Sequence, residues 1–222
     1  MREKTETLPG GTRVFTTERH KIGTDALLLS EFCQPKRDFA VADLGAGCGI
    51  LILSMLDKGV RGACLALELD AEGAGLIEKA GRENQFTNLH VVQGDLRSYR
   101  VAIHYDMVVA NPPYFDEGPL PPDGRRAAAR HEVSARLEEV CKAAAAMLKD
   151  RGRFCLCYPP EKLAGLFEGL AGNGMQPKRM QFVRKSPDAA PWLVLLDARK
   201  NGGRGLAVLP DRMLPAGEPT IY

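Results

Sequence analysis

The sequence has none of the long apolar runs that mark a membrane protein. Nothing in its 222 residues approaches the ~20 consecutive apolar residues that span a bilayer. The polar start, residues 1–7, has no signal-peptide core. We therefore expect a cytoplasmic protein that does not bind membranes. Stretches rich in Pro and Gly are too short to act as linkers, so a single domain, residues 1–222, is predicted.

Cysteine pairs of the metal-binding type are also missing. The six cysteines stand at positions 33, 48, 64, 141, 155 and 157, and none of them forms a C-x-x-C pair. Cys155 and Cys157 share one face of a predicted strand, which favours reduced core positions over a disulfide or a metal site. We expect no bound metal.

A strong net charge is absent too, because 30 Lys and Arg stand against 28 Asp and Glu. The halves differ: residues 1–110 carry 13 basic and 15 acidic residues, and residues 111–222 carry 17 and 13. An excess of this size is equally typical of an ordinary soluble surface. Its location is more informative, because the basic residues gather in two places, after position 124 and around a predicted hairpin. They are Arg125, Arg126, Arg130 and His131, then Lys178, Arg179, Arg184, Lys185, Arg199, Lys200 and Arg204. A structured RNA would need such a basic rim to hold its phosphates.

Short apolar runs alternate with helical periodicities along the chain, which predicts a doubly wound α/β sheet. Strands are predicted at residues 41–44, 63–68, 89–92, 106–110, 152–158, 180–184 and 192–198. Helices are predicted at residues 24–33, with Thr24 as N-cap, and at 49–58, 71–84, 134–149 and 161–172. The loop 185–191 is too short for a helical crossover, so the last two strands must pair antiparallel.

A glycine-rich turn follows the first of these strands. Asp43 and Leu44 lead into a turn that contains Gly45, Gly47 and Gly49, and an apolar helix comes next. Glycines at such a turn let the backbone approach a ligand closely. The spacing is G-x-G-x-G and not the dinucleotide fingerprint G-x-G-x-x-G. Asp43 would also repel a pyrophosphate and attract a cationic ligand, so the pattern argues against NAD.

Acidic residues end the next two strands. Glu68 closes the second strand, where a carboxylate typically accepts hydrogen bonds from a ribose diol. Asp70 competes for this role, although it equally suits the start of the next helix. Asp95 follows the third strand and could accept an adenine amino group, while the backbone N–H of Leu96 serves a ring nitrogen. Each acid alone fits a turn or a helix cap, but acids at three successive strand ends beside one glycine turn indicate a binding site.

The tetrapeptide Asn111-Pro112-Pro113-Tyr114 follows a fourth apolar strand. Two successive prolines stiffen the loop and leave carbonyl oxygens free to point outward. An amide oxygen, a rigid carbonyl and an aromatic ring together could receive a planar amine, with two acceptors for N–H and one face for stacking. Taken alone, the tetrapeptide fits a proline-rich turn equally well.

Together, the motifs at residues 43–49, 68, 95 and 111–114 resemble the class I S-adenosylmethionine (SAM) methyltransferases that modify exocyclic or amide nitrogens. Residues 10–15 and 20–29 are similar to the opening of the YfiC-like tRNA1(Val) adenine-N6-methyltransferases. This resemblance covers residues 8 to about 160. It implies a Rossmann-like sheet of seven strands, mostly parallel with one antiparallel strand, and helices on both faces. It also implies a segment 1–35 that closes over SAM, a catalytic core 36–200 and a tail 201–222.

The resemblance also assigns roles to the motif residues. The ribose of SAM would lie on Glu68, its adenine on Asp95 and Leu96, and its amino-acid portion over the glycine turn. Further expected cofactor contacts are Thr24, Asp25, Asp43, Gly45, Gly47, Gly49 and Asn111. A flipped adenine of tRNA would stack on Tyr114, with its N6–H groups bonded to the Asn111 oxygen and the Pro112 carbonyl. The expected RNA-binding rim is Arg125, Arg126, Arg130, Lys185 and Lys200.

Two alternatives remain open at this point. The same tetrapeptide can receive a glutamine amide of a protein or the exocyclic amine of an rRNA guanine, because each is a planar NH2 group. A catalytically silent SAM- or RNA-binding module is the second alternative, and the intact Asn111 and Tyr114 argue against it. The sequence does not indicate which tRNA is modified or the oligomeric state.

Overall fold

A computed structural model describes residues 3–112 and 136–214 of the chain. The strands are β1 (Lys4–Thr7), β2 (Arg13–Thr16), β3 (Val41–Leu44), β4 (Cys64–Glu68), β5 (Leu89–Gln93), β6 (Tyr105–Ala110), β7 (Leu148–Tyr158), β8 (Met175–Arg184), β9 (Leu193–Lys200), β10 (Ala207–Val208) and β11 (Arg212–Met213). The α-helices are α1 (Thr24–Cys33), α2 (Ile50–Asp57), α3 (Ala71–Glu83), α4 (Leu137–Met147) and α5 (Leu163–Gly172). A single 3-10 turn, Pro160–Lys162, precedes α5.

The seven predicted strands form one sheet, in the order β8-β9-β7-β6-β3-β4-β5. Strands β3 to β7 run parallel to one another, and β9 is antiparallel to both of its neighbours, β7 and β8. The predicted fold class and the antiparallel pairing of the last two long strands are therefore confirmed. Strands β3, β4 and β6 are buried almost throughout, as expected for parallel strands that are covered on both faces.

Helices cover both faces of the sheet. On one face, α1, α2 and α3 pack against the strands through buried residues such as Leu29, Ile52 and Ile77. On the other face, α4 and α5 contribute residues such as Val140 and Leu166. None of the described helices combines the length and the apolar character that a membrane span requires.

Four short strands were not predicted from the sequence. β1 and β2 form an antiparallel hairpin, while β10 and β11 add to the edge of the sheet by pairing with β8. β1 and β10 are exposed throughout, so they have no alternation of apolar residues to detect. Within the described part of the predicted tail, residues 201–214, β10 and β11 therefore extend the edge of the sheet.

The prediction of Thr24 as the N-cap of α1 is wrong by one residue. Gly23 occupies the N-cap position with an extended backbone, and Thr24 is already helical. The Gly23 carbonyl accepts the first intrahelical hydrogen bond, from the N–H of Leu27. Asp25 in the first turn accepts from the N–H of Ala26 at 2.8 Å. This carboxylate therefore satisfies one of the free N–H groups of the first turn, as an N-cap side chain would.

A buried carboxylate ties the end of α1 to the sheet. Asp197 on β9 has a side chain that is 5% exposed, and its Oδ2 accepts from Arg153 at 2.8 Å and from Arg179 at 3.0 Å. Both arginines continue to the C-terminal end of α1, where Arg153 donates to the Cys33 carbonyl at 2.7 Å and Arg179 to the Phe32 carbonyl at 3.2 Å. Cations at this end of a helix also interact favourably with its dipole.

We predict that Asp197→Ala lowers the free energy of unfolding by about 3–5 kcal/mol, because it leaves two partly buried guanidinium groups without their shared carboxylate. Urea denaturation would measure the change. Glu83→Ala is the control: it breaks the exposed pair with Arg13 and should cost less than about 1 kcal/mol. Equal losses in the two variants would show that the Asp197 cluster does not hold the fold.

Candidate active site

The carboxyl ends of four parallel strands bring the predicted site residues to one edge of the sheet. Asp43 lies in β3, Glu68 ends β4, Asp95 follows β5 and Asn111 follows β6. Register pairs β3 with β4 on one side and with β6 on the other, so these strand ends are neighbours. Open α/β sheets bind ligands at this edge.

The glycine turn between β3 and α2 is anchored to β4 and leaves open space at its outer side. The N–H groups of Gly45 and Ala46 donate to the Leu67 carbonyl at 2.8 and 3.2 Å. Gly45 and Gly47 have φ angles of +69° and +59°, and a Cβ added at either would meet no atom within 4 Å. Their glycine identity therefore serves the left-handed backbone and leaves room for a ligand. Gly49 differs, because an added Cβ would lie 2.9 Å from Ile77 of α3.

Glu68 links this turn to the next helix. Its side chain is buried, and one carboxylate oxygen accepts from the Gly47 N–H at 2.7 Å while the other accepts from the Asp70 N–H at 2.8 Å. Hydrogen bonds from backbone N–H groups fix the carboxylate at the mouth of the turn. The sequence indicated the position of this acid but not these two bonds.

Asp70 caps α3. It occupies the N-cap position, and its side chain accepts from the N–H groups of Glu72 and Gly73. Arg19 pairs with Asp70 and Glu72, and His20 Nε2 lies 3.3 Å from Asp70 Oδ1. The segment around Arg19 and His20 is thereby held against the start of α3.

His20, Asp70 and Glu72 also form the one cluster with metal-ligand character among the residues that the structure describes. Because the Arg19 guanidinium already neutralises both carboxylates, ion pairing with the N-terminal segment accounts for the cluster.

Asp43 is completely buried. Its Oδ2 accepts from the Ile52 N–H of α2 at 3.3 Å, and within the described ranges Oδ1 has no hydrogen-bond partner. Burial, with a smaller contribution from the charge of Glu68, raises the pKa of Asp43 to about 7. A carboxyl group in this state gains from a positively charged neighbour, since a nearby cation favours its ionised form.

Asp95 and Leu96 lie at the end of β5, where the sequence placed them. The carboxylate of Asp95 accepts hydrogen bonds from the backbone N–H of Arg97, at 2.9 Å, and from the guanidinium of the same residue. This contact holds the pKa of Asp95 below its ordinary value. Asp95 is therefore ionised at neutral pH, and the adenine contact predicted for it would be an additional bond rather than its first.

The side chain of Asn111 is held from two directions. Its Nδ2 donates to Asp25 Oδ2 at 2.9 Å, and the thiol of Cys157 on β7 donates to its Oδ1 at 3.0 Å. Asp25 and Asn111 are 86 positions apart in the sequence. Sequence reasoning placed both at the site but missed their contact and the part of Cys157, which had been interpreted only as a core residue.

The structure does not bring every predicted basic residue to the site. Lys200 ends β9, whose antiparallel direction places this end beside the start of β8, at the edge of the sheet opposite Asn111. Its ammonium group donates to the carbonyls of Ala145 and Leu148 at the end of α4. Lys200 therefore does not lie at the site edge, where the RNA-binding rim was expected. Lys185 is exposed and follows β8 at the site edge.

Several other predicted residues lie outside the described ranges, namely Tyr114, Arg125, Arg126 and Arg130. Pro112 is described and buried. A further residue was overlooked: Leu69, between Glu68 and Asp70, is 39% exposed. An exposed apolar side chain between two acids offers a surface on which a flat base could pack.

We predict a specific pH dependence for Asp43→Asn. Because the folded pKa lies above the ordinary aspartate value of about 3.9, the stability that Asp43 contributes is complete below about pH 4 and is lost as the pH rises to about 7. The variant has no such titration. Its free energy of unfolding relative to the wild type should therefore rise by about 2–3 kcal/mol between pH 5 and pH 8. Urea denaturation at the two pH values tests this, and an unchanged difference would contradict it.

Comparisons with known proteins show the family of the chain. A family model described as methyltransferase small domain matches residues 6–160. A tRNA1(Val) (adenine(37)-N6)-methyltransferase of Bacteroides fragilis is 30% identical over 180 residues, which cover 79% of this chain and 76% of the relative. A protein of the same name from Bacteroides thetaiotaomicron is 32% identical over 178 residues, covering 79% and 75%.

Solved structures share the fold. A protein from Agrobacterium tumefaciens described as a predicted O-methyltransferase has a TM-score of 0.68 and 18% identity, covering 90% of this chain and 92% of that one. A 16S rRNA N2 methyltransferase of T. thermophilus, in complex with AdoMet and guanosine, has a TM-score of 0.63 and 22% identity, covering 90% and 50%. The family model and the curated relatives identify the chain itself: it belongs to the methyltransferase small domain family and is a SAM-dependent methyltransferase.

Proposed function

We propose that this enzyme transfers a methyl group from SAM to the N6 amino group of an adenine in tRNA, with S-adenosylhomocysteine and a proton as the other products. The observation that carries the proposal is the amide of Asn111, fixed at the end of β6 by Asp25 and Cys157. The names of the relatives at about 30% identity support the choice of adenine N6 and of tRNA. A tRNA substrate also agrees with the cytoplasmic location expected from the sequence.

The residues at the strand ends fit SAM. Open space beside Gly45 and Gly47 leaves room for the ligand, and the buried, unpartnered Oδ1 of Asp43 among the described residues favours a cationic one. When bound, SAM supplies a methyl group on a positively charged sulfur. We assign the ribose hydroxyls to Glu68. The base is assigned to Asp95 and the Leu96 N–H, with Leu69 packed against it, and the amino-acid portion to Thr24 and the glycine turn.

Asn111 and Pro112 would prepare the target amine. The lone pair of an exocyclic adenine amine is delocalised into the ring, so the nitrogen is a poor nucleophile. Hydrogen bonds from N6–H to the Asn111 oxygen and the Pro112 carbonyl favour a pyramidal nitrogen, and they stabilise the positive charge that develops on it. Stacking of the base on Tyr114 remains part of the proposal.

The RNA is proposed to contact Lys185 at the site edge together with Arg125, Arg126 and Arg130. Lys185 is exposed beside the strand ends that carry the site. We keep the arginines as candidates because they follow the Asn-Pro-Pro-Tyr tetrapeptide closely in the sequence. Phosphate contacts of this kind weaken as the salt concentration rises.

Glu68 provides a test of the cofactor assignment. Glu68→Ala removes charge-assisted hydrogen bonds worth about 1.5–3 kcal/mol each, so we expect SAM affinity to fall at least about tenfold. Asp70→Ala should cost about 0.5–2 kcal/mol of stability through the lost helix cap and leave affinity within about threefold. Calorimetric titration measures both variants.

Glu68 also orders the turn, so a direct role needs a separate measurement. Binding of S-adenosylhomocysteine should be compared with binding of its 2′,3′-dideoxy analogue. The wild type should prefer the ribose form, and Glu68→Ala should lose this preference if its carboxylate contacts the diol. A preference that survives Glu68→Ala and disappears in Asp70→Ala would transfer the ribose role to Asp70.

Asn111→Ala tests the chemistry. It deletes an acceptor aimed at the reacting amine, and such groups typically contribute about 2.7–4 kcal/mol to the transition state. Turnover at saturating SAM and tRNA should therefore fall by about two to three orders of magnitude, while the melting temperature stays near that of the wild type.

The reaction is followed with labelled SAM and total tRNA, and the product nucleoside is identified by mass spectrometry. N6-methyladenosine in tRNA is the expected product. Methylation found only on ribosomal protein or on guanine would show that the substrate is not the proposed tRNA adenine. An Asn111→Ala enzyme that works at the normal rate would refute the proposed chemistry.

A further inference from the structure

The contact between Asp25 and Asn111 has a meaning beyond cofactor binding. An amide side chain has two ends of similar shape, of which only the oxygen can accept a hydrogen bond. If the side-chain amide of Asn111 were rotated by half a turn, it would present its NH2 group to the target amine instead of its oxygen. Catalysis by this residue therefore requires something that fixes its orientation.

Asp25 provides this fixation. Its Oδ2 accepts from Asn111 Nδ2 at 2.9 Å, and an ionised carboxylate can only accept. The opposite orientation would bring the Asn111 oxygen against a carboxylate oxygen, with two acceptors in contact. The contact of Cys157 on the other side agrees with this orientation, because its thiol donates to the Asn111 oxygen at 3.0 Å.

The carboxylate is itself held rigidly. Its second oxygen, Oδ1, accepts from the Ala26 N–H at 2.8 Å, in the first turn of α1, where the helix dipole stabilises a negative charge. The far end of α1 is fixed to the sheet through Arg153 and Arg179. Asp25 is therefore presented to Asn111 by a helix whose far end is anchored to the sheet.

The same contact makes the Asn111 oxygen a stronger acceptor. A hydrogen bond to an ionised partner is stronger than a neutral one, and successive hydrogen bonds polarise one another. The negative charge of Asp25 on the NH2 end of the amide shifts electron density toward the Asn111 oxygen. The more negative oxygen stabilises the positive charge that develops on the attacking nitrogen.

We infer that Asp25 is a positioning residue for the methyl transfer, which fixes the Asn111 amide with its oxygen toward the target amine and strengthens that oxygen as an acceptor. This inference rests on the function proposed above. It replaces, for Asp25, the direct contact with SAM that the sequence resemblance implies. The two roles predict different kinetics, because a positioning residue acts on turnover and a cofactor ligand acts on affinity.

Asp25→Asn is the decisive variant, since it has the same shape and no charge. Its own oxygen can stay on the Ala26 N–H, which turns its NH2 group toward Asn111 and favours the wrong orientation of that amide. We expect kcat at saturating SAM and tRNA to fall about 10- to 100-fold. The Kd for SAM should stay within about threefold of the wild type, and the melting temperature should be unchanged. Glu31→Gln removes a charge from the same helix, at an exposed position paired with Arg212, and should leave kcat unchanged.

A double-mutant cycle separates the possible results. If Asp25 acts through Asn111, adding Asp25→Asn to Asn111→Ala lowers kcat no further. A Kd for SAM that rises tenfold or more, in both backgrounds and with normal kcat, would overturn the inference and make Asp25 a cofactor ligand. Losses in kcat that multiply in the double variant would overturn it as well. Normal turnover of Asn111→Ala alone would instead refute the proposed function, so the two failures are distinguishable.

Discussion

The fixed position of α1 is the constraint on which the site depends. At the C-terminal end of this helix, Arg153 and Arg179 bind its last carbonyls while sharing the buried carboxylate of Asp197. At its N-terminal end, Asp25 meets Asn111. A shift of α1 along its axis would break either a partly buried ion-pair cluster or the contact to the proposed catalytic amide. The antiparallel strand β9, which carries Asp197, thus contributes to the site through the position of α1.

A second constraint is the double use of Glu68. Its two oxygens accept from Gly47 and from Asp70, so one buried carboxylate joins the glycine turn to the start of α3. Both donors are backbone groups, whose positions follow from the fold. The turn is therefore ordered by protein contacts, and little conformational entropy remains to be lost when a ligand binds beside Gly45 and Gly47. The carboxylate of Glu68 therefore has two roles: it orders the glycine turn, and it is the proposed acceptor for the ribose hydroxyls.

The sequence was sufficient for the parts of the structure that follow from hydrophobic burial. Strands β3, β4 and β6 are apolar runs, and a rule about strand ends then places Glu68 and Asn111 at one edge. Exposed elements such as β1 and β10 carry no such signal. The contact of Asp25 with Asn111 joins residues 86 positions apart, and only the packing of α1 beside β7 and β9 brings them together. Lys200 was expected at the site edge because it lies close to other basic residues in the sequence. The antiparallel direction of β9 places it at the opposite edge of the sheet.

The contacts of the basic residues bear on how the proposed RNA substrate can be recognised. Around β8 and β9, Arg179 neutralises Asp197, Lys200 caps α4, Arg184 pairs with Asp211, and Lys178 donates to the carbonyls of residues 203 and 204. Side chains engaged in this way contribute little to a broad phosphate-binding face. The proposed phosphate contacts are Lys185 at the site edge and the arginines at 125, 126 and 130, which follow the Asn-Pro-Pro-Tyr tetrapeptide in the sequence. Each neutralised phosphate adds to the salt dependence of binding, so four such contacts would give the proposed tRNA substrate a modest non-specific affinity. Under this proposal, selection of the target would depend mainly on contacts with the flipped base and its immediate neighbours.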